Sequence, residues 1–194
     1  MAVRLDWEKI YREFTACATD GNCGELCRNG ARGIAACCDA RRLPLIVFSE
    51  ELAWARPRTT CWHRRRPRNP AEKQALSRWA EHIVPACCVH PRRCDRPYRS
   101  ATCRFFPLEP YLDAQGRFVG LTYIYGAARI CPLVGRQMDL RQEFVDQSVA
   151  VWNQIFAAHP EERACYQQAS RQLRYRFARQ GRTIRLFHPT CLIR

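Results

Sequence analysis

Apolar residues at helical spacing mark the beginning of the chain. They fall on one face of a helix, at Trp7, Ile10, Tyr11, Phe14 and Cys17. Asp6 precedes this stripe in the position of an N-cap. The pattern predicts a helix over residues 6–17. Four glycines between residues 21 and 33 then interrupt every period, so the following segment is predicted to be an irregular loop.

A short apolar run and two helix starts follow before residue 85. The run over residues 44–48 predicts a buried strand, and Ser49 before two glutamates is typical of a helix N-terminus. Residues 56–68 are rich in arginine and proline, which predicts an exposed loop. A second helix is predicted from Asn69 to the residues before Pro85. Its buried stripe comprises Ala75, Leu76, Trp79, Ala80 and Ile83.

Residues 108–125 have the pattern of a β-hairpin. Two apolar runs, residues 108–112 and 117–125, flank a polar turn that ends in Gly116. Such turns need a residue that adopts positive φ, and glycine does so without a steric penalty. The pattern therefore predicts two paired strands.

Two long amphipathic segments follow the hairpin. Asp139 and Gln142 have the spacing of a capping box, and a helical apolar stripe continues beyond them. Pro160 begins another helical pattern, which Gly181 ends. Residues 183–187 predict a final strand.

These elements predict an α+β fold. The length of 194 residues favours a single domain spanning residues 1–194, with several helices around a cysteine-rich metal centre, a β-hairpin and short strands. The cysteine-rich core is placed at about residues 17–135 and a helical part at about 136–194. No apolar run approaches the roughly 20 residues of a membrane-spanning helix. The N-terminus lacks a signal-peptide pattern, so a soluble, cytoplasmic protein is expected.

Thirteen cysteines change this picture most. An odd number of thiols cannot all pair, adjacent cysteines are poor disulfide partners, and cytoplasmic thiols stay reduced. Eight of them form two groups on loops that could surround a metal: Cys23, Cys27, Cys37 and Cys38, and Cys88, Cys94, Cys103 and Cys131. We interpret these eight as metal ligands. Their spacing fits no usual zinc-ribbon or ferredoxin pattern, so the choice between an iron–sulfur cluster and zinc stays open.

The remaining cysteines and two histidines are secondary candidates. Cys17 and Cys165 are expected to pack as small apolar residues on helices. Alternative ligands outside the primary set are Cys61, Cys87, Cys191, His63 and His90. Solvated or structural histidine is the simpler interpretation of the two histidines, and nothing marks one cysteine as a catalytic nucleophile.

The formal charge of +14 comes almost wholly from arginine. Arginine-rich segments at residues 56–68 and 171–185, the second with interleaved aromatic residues, could follow a nucleic-acid backbone. A helix with arginine on its outer face needs no partner, so nucleic-acid binding is an alternative that the sequence does not favour. An unidentified protein partner is a further alternative.

The residues around two of the cysteine motifs resemble a known family. Cys37 and Cys38 precede an apolar run and the sequence Ser-Glu-Glu, and Cys103 is followed by Arg-Phe-Phe-Pro. These motifs are similar to those of the YkgJ-type cysteine-cluster proteins, a domain described as zinc- or iron-chelating. The resemblance covers about residues 23–135. Nine residues separate Cys27 from Cys37 here, where the family typically has two.

The resemblance implies a cysteine-ligated centre with a structural or redox role. We slightly prefer an iron–sulfur cluster, because eight thiols and nearby aromatic residues suit a bulky, shielded cofactor. Arg104 could donate hydrogen bonds to cluster sulfides, pair with a carboxylate, or form a surface ion pair. Some proteins with related clusters, such as the flagellin lysine methylases, are modification enzymes, so a cluster-dependent transfer reaction is one alternative. A zinc-stabilised nucleic-acid-binding protein is another.

Overall fold

The computed structural model describes residues 4–21, 23–27, 33–39, 45–76, 82–92 and 94–190. In these ranges the chain forms seven α-helices and two antiparallel sheets of three strands each. The predicted α+β class is therefore confirmed.

The elements follow one another along the chain without a repeat. The helices are α1 (Trp7–Glu13), α2 (Ser49–Ala55), α3 (Pro70–Leu76), α4 (Ala101–Phe105), α5 (Pro132–Gly135), α6 (Gln142–Ala158) and α7 (Pro160–Arg179). The strands are β1 (Leu45–Phe48), β2 (Trp62–Arg64), β3 (Ile83–Cys88), β4 (Leu108–Leu112), β5 (Phe118–Tyr123) and β6 (Leu186–Phe187). Short 3-10 helices cover Cys23–Cys27, Ala36–Cys38, Arg96–Tyr98 and Ala127–Arg129.

The first sheet has the order β1-β3-β2, and it corrects two predictions. Ile83 and Pro85 lie in β3, where a helix was predicted to continue as far as Pro85. Pairing on both sides overrides the helical pattern: Val47 pairs with Val84, and the carbonyl of Pro85 accepts from the Arg65 amide. Trp79 and Ala80 of the predicted stripe lie outside the described residues.

The second correction concerns the basic segment of residues 56–68. It was predicted to be an exposed loop, but it contains strand β2, whose Trp62 is buried and pairs with Cys88. The Trp62 indole N–H donates to the Tyr98 carbonyl at 2.8 Å. Burial of this one large ring fixes the strand despite the arginines around it.

The second sheet has the order β4-β5-β6 and confirms the hairpin. Gly116 in its turn has a φ of +76°, as expected. Gly120 has a φ of +147°, and a Cβ there would lie 2.5 Å from the carbonyl oxygen of Phe187. The glycine therefore allows β6 to approach β5, and β6 lies within the predicted strand of residues 183–187.

Helix boundaries differ from the predicted ones at two places. Asp6 caps α1 as expected, but the helix ends at Glu13, so Cys17 lies beyond it. The predicted capping box at Asp139 is wrong, because α6 begins at Gln142 and Asp139 instead pairs with Arg185 at 2.9 Å. Helix α7 begins at Pro160 as predicted, and its C-terminal glycine adopts positive φ.

The core is built around the apolar face of α6. The Trp152 ring stacks on Phe105 of α4 at a centroid distance of 4.7 Å, and Phe105 contacts Phe14 at 5.1 Å. Phe105 is 3% exposed and Phe14 is 1% exposed. This aromatic chain fixes α4 between the N-terminal segment and α6.

A fully buried carboxylate joins three elements beside that core. Glu51 of α2 accepts hydrogen bonds from the Tyr11 hydroxyl at 2.6 Å, the Ala101 amide at 2.6 Å and the Phe48 amide at 3.4 Å. Burial raises the pKa of Glu51, and these hydrogen bonds act in the opposite direction. Helices α1, α2 and α4 therefore meet at one buried acceptor.

We expect Glu51→Ala to lower the free energy of unfolding by about 2–4 kcal/mol, because it leaves three buried donors without an acceptor. Glu51→Gln should cost less, since its amide oxygen still accepts from some of them. Urea unfolding followed by circular dichroism measures both. Glu143→Ala, at an exposed carboxylate of α6, is the control, and equal midpoints for Glu51→Ala and this control would contradict the role of Glu51.

Candidate metal centre

All eight predicted ligand cysteines line two adjoining cavities. The first, of about 290 Å³, is lined by Cys23, Cys27, Cys37, Cys38, Cys94 and Cys131. The second, of about 220 Å³, is lined by Cys37, Cys38, Cys88, Cys94 and Cys103. Three cysteines, Cys37, Cys38 and Cys94, line both. The fold thus brings the two groups together across more than a hundred residues of chain, although their role as ligands stays a prediction.

Two short 3-10 helices position the first group. The amide of Ala36 donates to the Cys27 sulfur at 3.4 Å. This hydrogen bond joins the 3-10 helix Cys23–Cys27 to the 3-10 helix Ala36–Cys38. The sulfurs of Cys37 and Cys38 lie 4.0 Å apart. Because adjacent residues usually point apart, the tight turn over Ala36–Cys38 is what directs both thiols to the same side.

Three different elements position the second group. Cys88 ends β3, Cys103 lies in α4, and Cys131 is the N-cap residue of α5. The Ser100 hydroxyl caps α4 by accepting from the Cys103 amide at 3.4 Å. Glu51 and the Phe105 stack hold α4 in place, and Cys103 is positioned with it.

Arg99 lies at the junction of the two cavities and lines both. Its Nη2 lies 3.9 Å from the Cys37 sulfur, and its buried Nε has no hydrogen-bond partner among the described residues. No carboxylate forms an ion pair with it in the part of the chain that the structure describes. The nearest charge partners of this guanidinium are thiols.

Electrostatics link Arg99 to the thiols. Burial alone would lower the pKa of Arg99, but interaction with Cys103, Cys37, Cys38 and Cys94 as thiolates holds it above its usual value. Conversely, the hydrogen bond from Cys37 lowers the pKa of Cys38, burial opposes this, and Arg99 lowers it further. A buried, permanently charged arginine therefore favours anionic sulfur around it.

Burial is the main influence on the pKa of three further cavity cysteines. Burial raises the pKa of the Cys88 thiol to about 11, and it raises the pKa of Cys23 and Cys131 as well. Deprotonation of these thiols thus needs a cation that binds sulfur, since burial favours their neutral form.

Sequence reasoning missed three residues of this site. Arg99 had no distinguishing local signal among the many arginines. Cys61, an alternative candidate, lines the second cavity because the β2–β3 pairing places it near Cys88. Cys17 lines the first cavity, and its sulfur accepts from Arg96 at 3.3 Å.

The remaining candidates lie at or outside the cavities. His90 lines the second cavity, His63 lies on the exposed side of β2, and Cys165 lies in α7. The Cys87 sulfur approaches the Cys88 carbonyl at 3.6 Å. Cys191 is outside the described residues.

Arg104 lines the first cavity but is occupied elsewhere. Its guanidinium donates to the carbonyl oxygens of Phe14, Arg99 and Pro97, and it lies 4.5 Å from the centre of the Tyr11 ring. Burial lowers the pKa of Arg104. Its predicted donation to a bound cluster stays a prediction, beside an observed role in joining α1 to α4.

Comparison with models of protein families, with curated proteins and with solved structures finds no match to this chain. Among the described residues, no helix has the length and apolar character required to cross a membrane.

The Arg99→Gln variant should react more slowly with iodoacetamide at Cys38 in metal-free protein near neutral pH. Removing the guanidinium raises the pKa of Cys38, so the alkylation profile shifts to higher pH. Mass spectrometry of peptides measures the profile. Arg92→Gln, at an exposed arginine of the first cavity, is the control. Coincident alkylation profiles for the two variants would contradict the effect of Arg99 on Cys38.

Proposed function

We propose that this chain is a cysteine-cluster metalloprotein of the YkgJ type, which binds an iron–sulfur cluster or zinc in the two thiol-lined cavities. The centre has a structural or redox role. The observation that carries the proposal is that eight cysteines line two cavities that share the buried Arg99 guanidinium. The reduced thiols that this requires fit a cytoplasmic protein.

The donor set fits a thiophilic centre. Zinc and iron–sulfur clusters are the groups that proteins hold with several thiolates. An anionic thiolate centre would also supply a negative charge to compensate the buried guanidinium of Arg99. Arg99 would lie outside the ligand set and donate N–H groups toward its sulfurs, which is how outer residues tune such centres.

The size of the cavities favours an iron–sulfur cluster over a single zinc ion. In a tetrahedral site with Zn–S bonds of about 2.3 Å, the sulfurs lie roughly 3.8 Å apart. Cys37 and Cys38 meet that spacing, but the cysteines as a set line cavities of about 290 and 220 Å³. A multi-iron cluster would fill cavities of this size, whereas a zinc ion would occupy only one end of one cavity.

Anaerobic purification tests this proposal. We expect bound iron with acid-labile sulfide and a broad visible band, or else colourless protein with stoichiometric zinc. Cys38→Ser and Cys103→Ser should each lower the bound metal by at least about tenfold at a fixed chelator concentration. Cys165→Ser, in α7 and outside both cavities, is the matched control.

Two results would reject the metalloprotein proposal. One is fully folded protein that contains no metal after anaerobic purification and after incubation with iron, sulfide or zinc. The other is equal metal content in Cys38→Ser, Cys103→Ser and Cys165→Ser.

A nucleic-acid-binding role is the second candidate, and the C-terminal part of α7 with the segment after it favours this role. Residues 171–185 contain six arginines and no acidic residue. The guanidinium of Arg176 lies 4.8 Å from the centre of the Tyr125 ring, and that of Arg182 lies 5.0 Å from the Phe177 ring. Tyr125 is 47% exposed. Exposed aromatic rings beside arginines can stack on bases and contact phosphates.

For this candidate, Arg176→Gln combined with Arg182→Gln should weaken binding to single-stranded RNA or DNA. The slope of log K against log salt should shrink by about 1.4, because two phosphate contacts are lost. Fluorescence anisotropy at several salt concentrations measures both effects. Arg56→Gln with Arg66→Gln makes the same charge change in the other basic segment. Equal losses in both double variants would contradict a site on α7.

A further inference from the structure

A second group of ligand atoms lies apart from the thiols, at the junction of α6 and α7. The Nδ1 of His82 lies 3.1 Å from Glu161 Oε1, and the Nδ1 of His159 lies 3.6 Å from the same oxygen. All three ligand atoms lie within 4.8 Å of one another. In the described ranges, this is the one trio of histidine, cysteine or acidic residues that is so close. None of the three lines either thiol cavity.

In its neutral form, His82 faces more acceptors than it has N–H groups to donate. His82 faces carboxylate oxygens at both ring nitrogens, since its Nε2 lies 2.9 Å from Glu162 Oε1. A neutral imidazole carries one N–H. If that proton is donated to the buried Glu162, the Nδ1 lone pair of His82 points at Glu161, and a cation between them removes the repulsion.

Glu162 has the burial and position of an orienting residue. It is 1% exposed, and its carboxylate reaches the ring nitrogen of His82 that faces away from Glu161. Metal-binding histidines commonly donate their second N–H to a carboxylate, which fixes the tautomer. His159 is also buried, at 8% exposed; its Nε2 has no hydrogen-bond partner among the described residues and lies 4.0 Å from Glu50 Oε2.

The spacing of the ligand atoms fits zinc. Zn–N and Zn–O bonds of about 2.0–2.2 Å place tetrahedral ligand atoms about 3.3–3.5 Å apart. The observed separations of 3.1 and 3.6 Å bracket this value. The two imidazole rings lie 4.1 Å apart and 15° from parallel. Because a metal bonds imidazole in the ring plane, binding requires the rings to splay apart at their Nδ1 edges.

We propose that His82, His159 and Glu161 bind one zinc ion, separate from the thiol centre, with Glu162 orienting His82. The Glu161 side chain is half-exposed, so the fourth coordination position faces solvent and takes water or a small anion. This site is independent of the proposed function, because it shares no ligand with the cysteine cavities.

Metal counting on the full chain tests the second site. Wild-type protein, Glu161→Gln and Glu143→Gln are equilibrated with chelator-buffered zinc. Glu143 is a matched control, since it also lies in the first turn of a helix and is half-exposed. We expect Glu161→Gln to bind one zinc fewer per chain than wild type and Glu143→Gln, and X-ray absorption to lose nitrogen and oxygen scatterers while sulfur scatterers remain. Equal zinc content in the two variants overturns the proposal.

Histidine NMR supplies a second measurement that does not depend on any variant. On addition of zinc, the Nδ1 resonances of His82 and His159 should shift, and those of His63 and His188, which line neither thiol cavity, should not. Unchanged signals from His82 and His159 overturn the site, even if zinc binds elsewhere.

The failures of the two proposals are distinguishable. Cys38→Ser should lose the metal of the thiol centre and retain the zinc-induced shifts of His82 and His159. Glu161→Gln should retain the thiol-bound metal and lose those shifts. Loss of both metals in Glu161→Gln, with circular dichroism unchanged, would contradict an independent second site.

Discussion

The hydrogen-bonded carboxylate of Glu51 is the constraint on which the arrangement of the thiols depends. It lies in the core, where an acceptor without donors would be costly, and it is supplied with donors from α1, α4 and the start of α2. The contact with Ala101 determines how close α4 comes to β1. Cys103 follows two residues later in α4, so this polar contact also helps to position the Cys103 thiol, which lines the second cavity.

Charge imbalance is the common property of the two candidate sites. At the thiol cavities a buried guanidinium has no carboxylate partner among the described residues, which favours anionic sulfur. At His82 the opposite holds, because two carboxyl groups converge on one imidazole ring, an arrangement that favours a cation. Buried charges are tolerated when they are compensated, and in both proposals a bound metal centre would supply the compensation. The two proposed sites match metals of different ligand preference.

The sequence predicted the elements that are marked by their own residues. It missed the elements whose conformation is determined by pairing with neighbouring strands. Helix α7 and the β4–β5 hairpin were predictable because their periods are long and glycine marks their ends. The two cysteine groups, proposed from the sequence, line adjoining cavities, while their role as ligands stays a prediction. Strand β3 was missed because its neighbours in the sheet, not its own pattern, decide its conformation. Arg99 was missed because burial distinguishes it from other arginines, and burial is a tertiary property.

The discontinuity of the cysteines has a consequence for biosynthesis. The sulfurs that line the two cavities extend from Cys23 to Cys131, so the last of them is synthesised more than a hundred residues after the first. The nascent chain therefore exposes most of its thiols before the enclosing walls exist. For the proposed metal centre, delivery of the metal would follow the synthesis of Cys131, and the earlier thiols would need protection from oxygen and from competing metals until then.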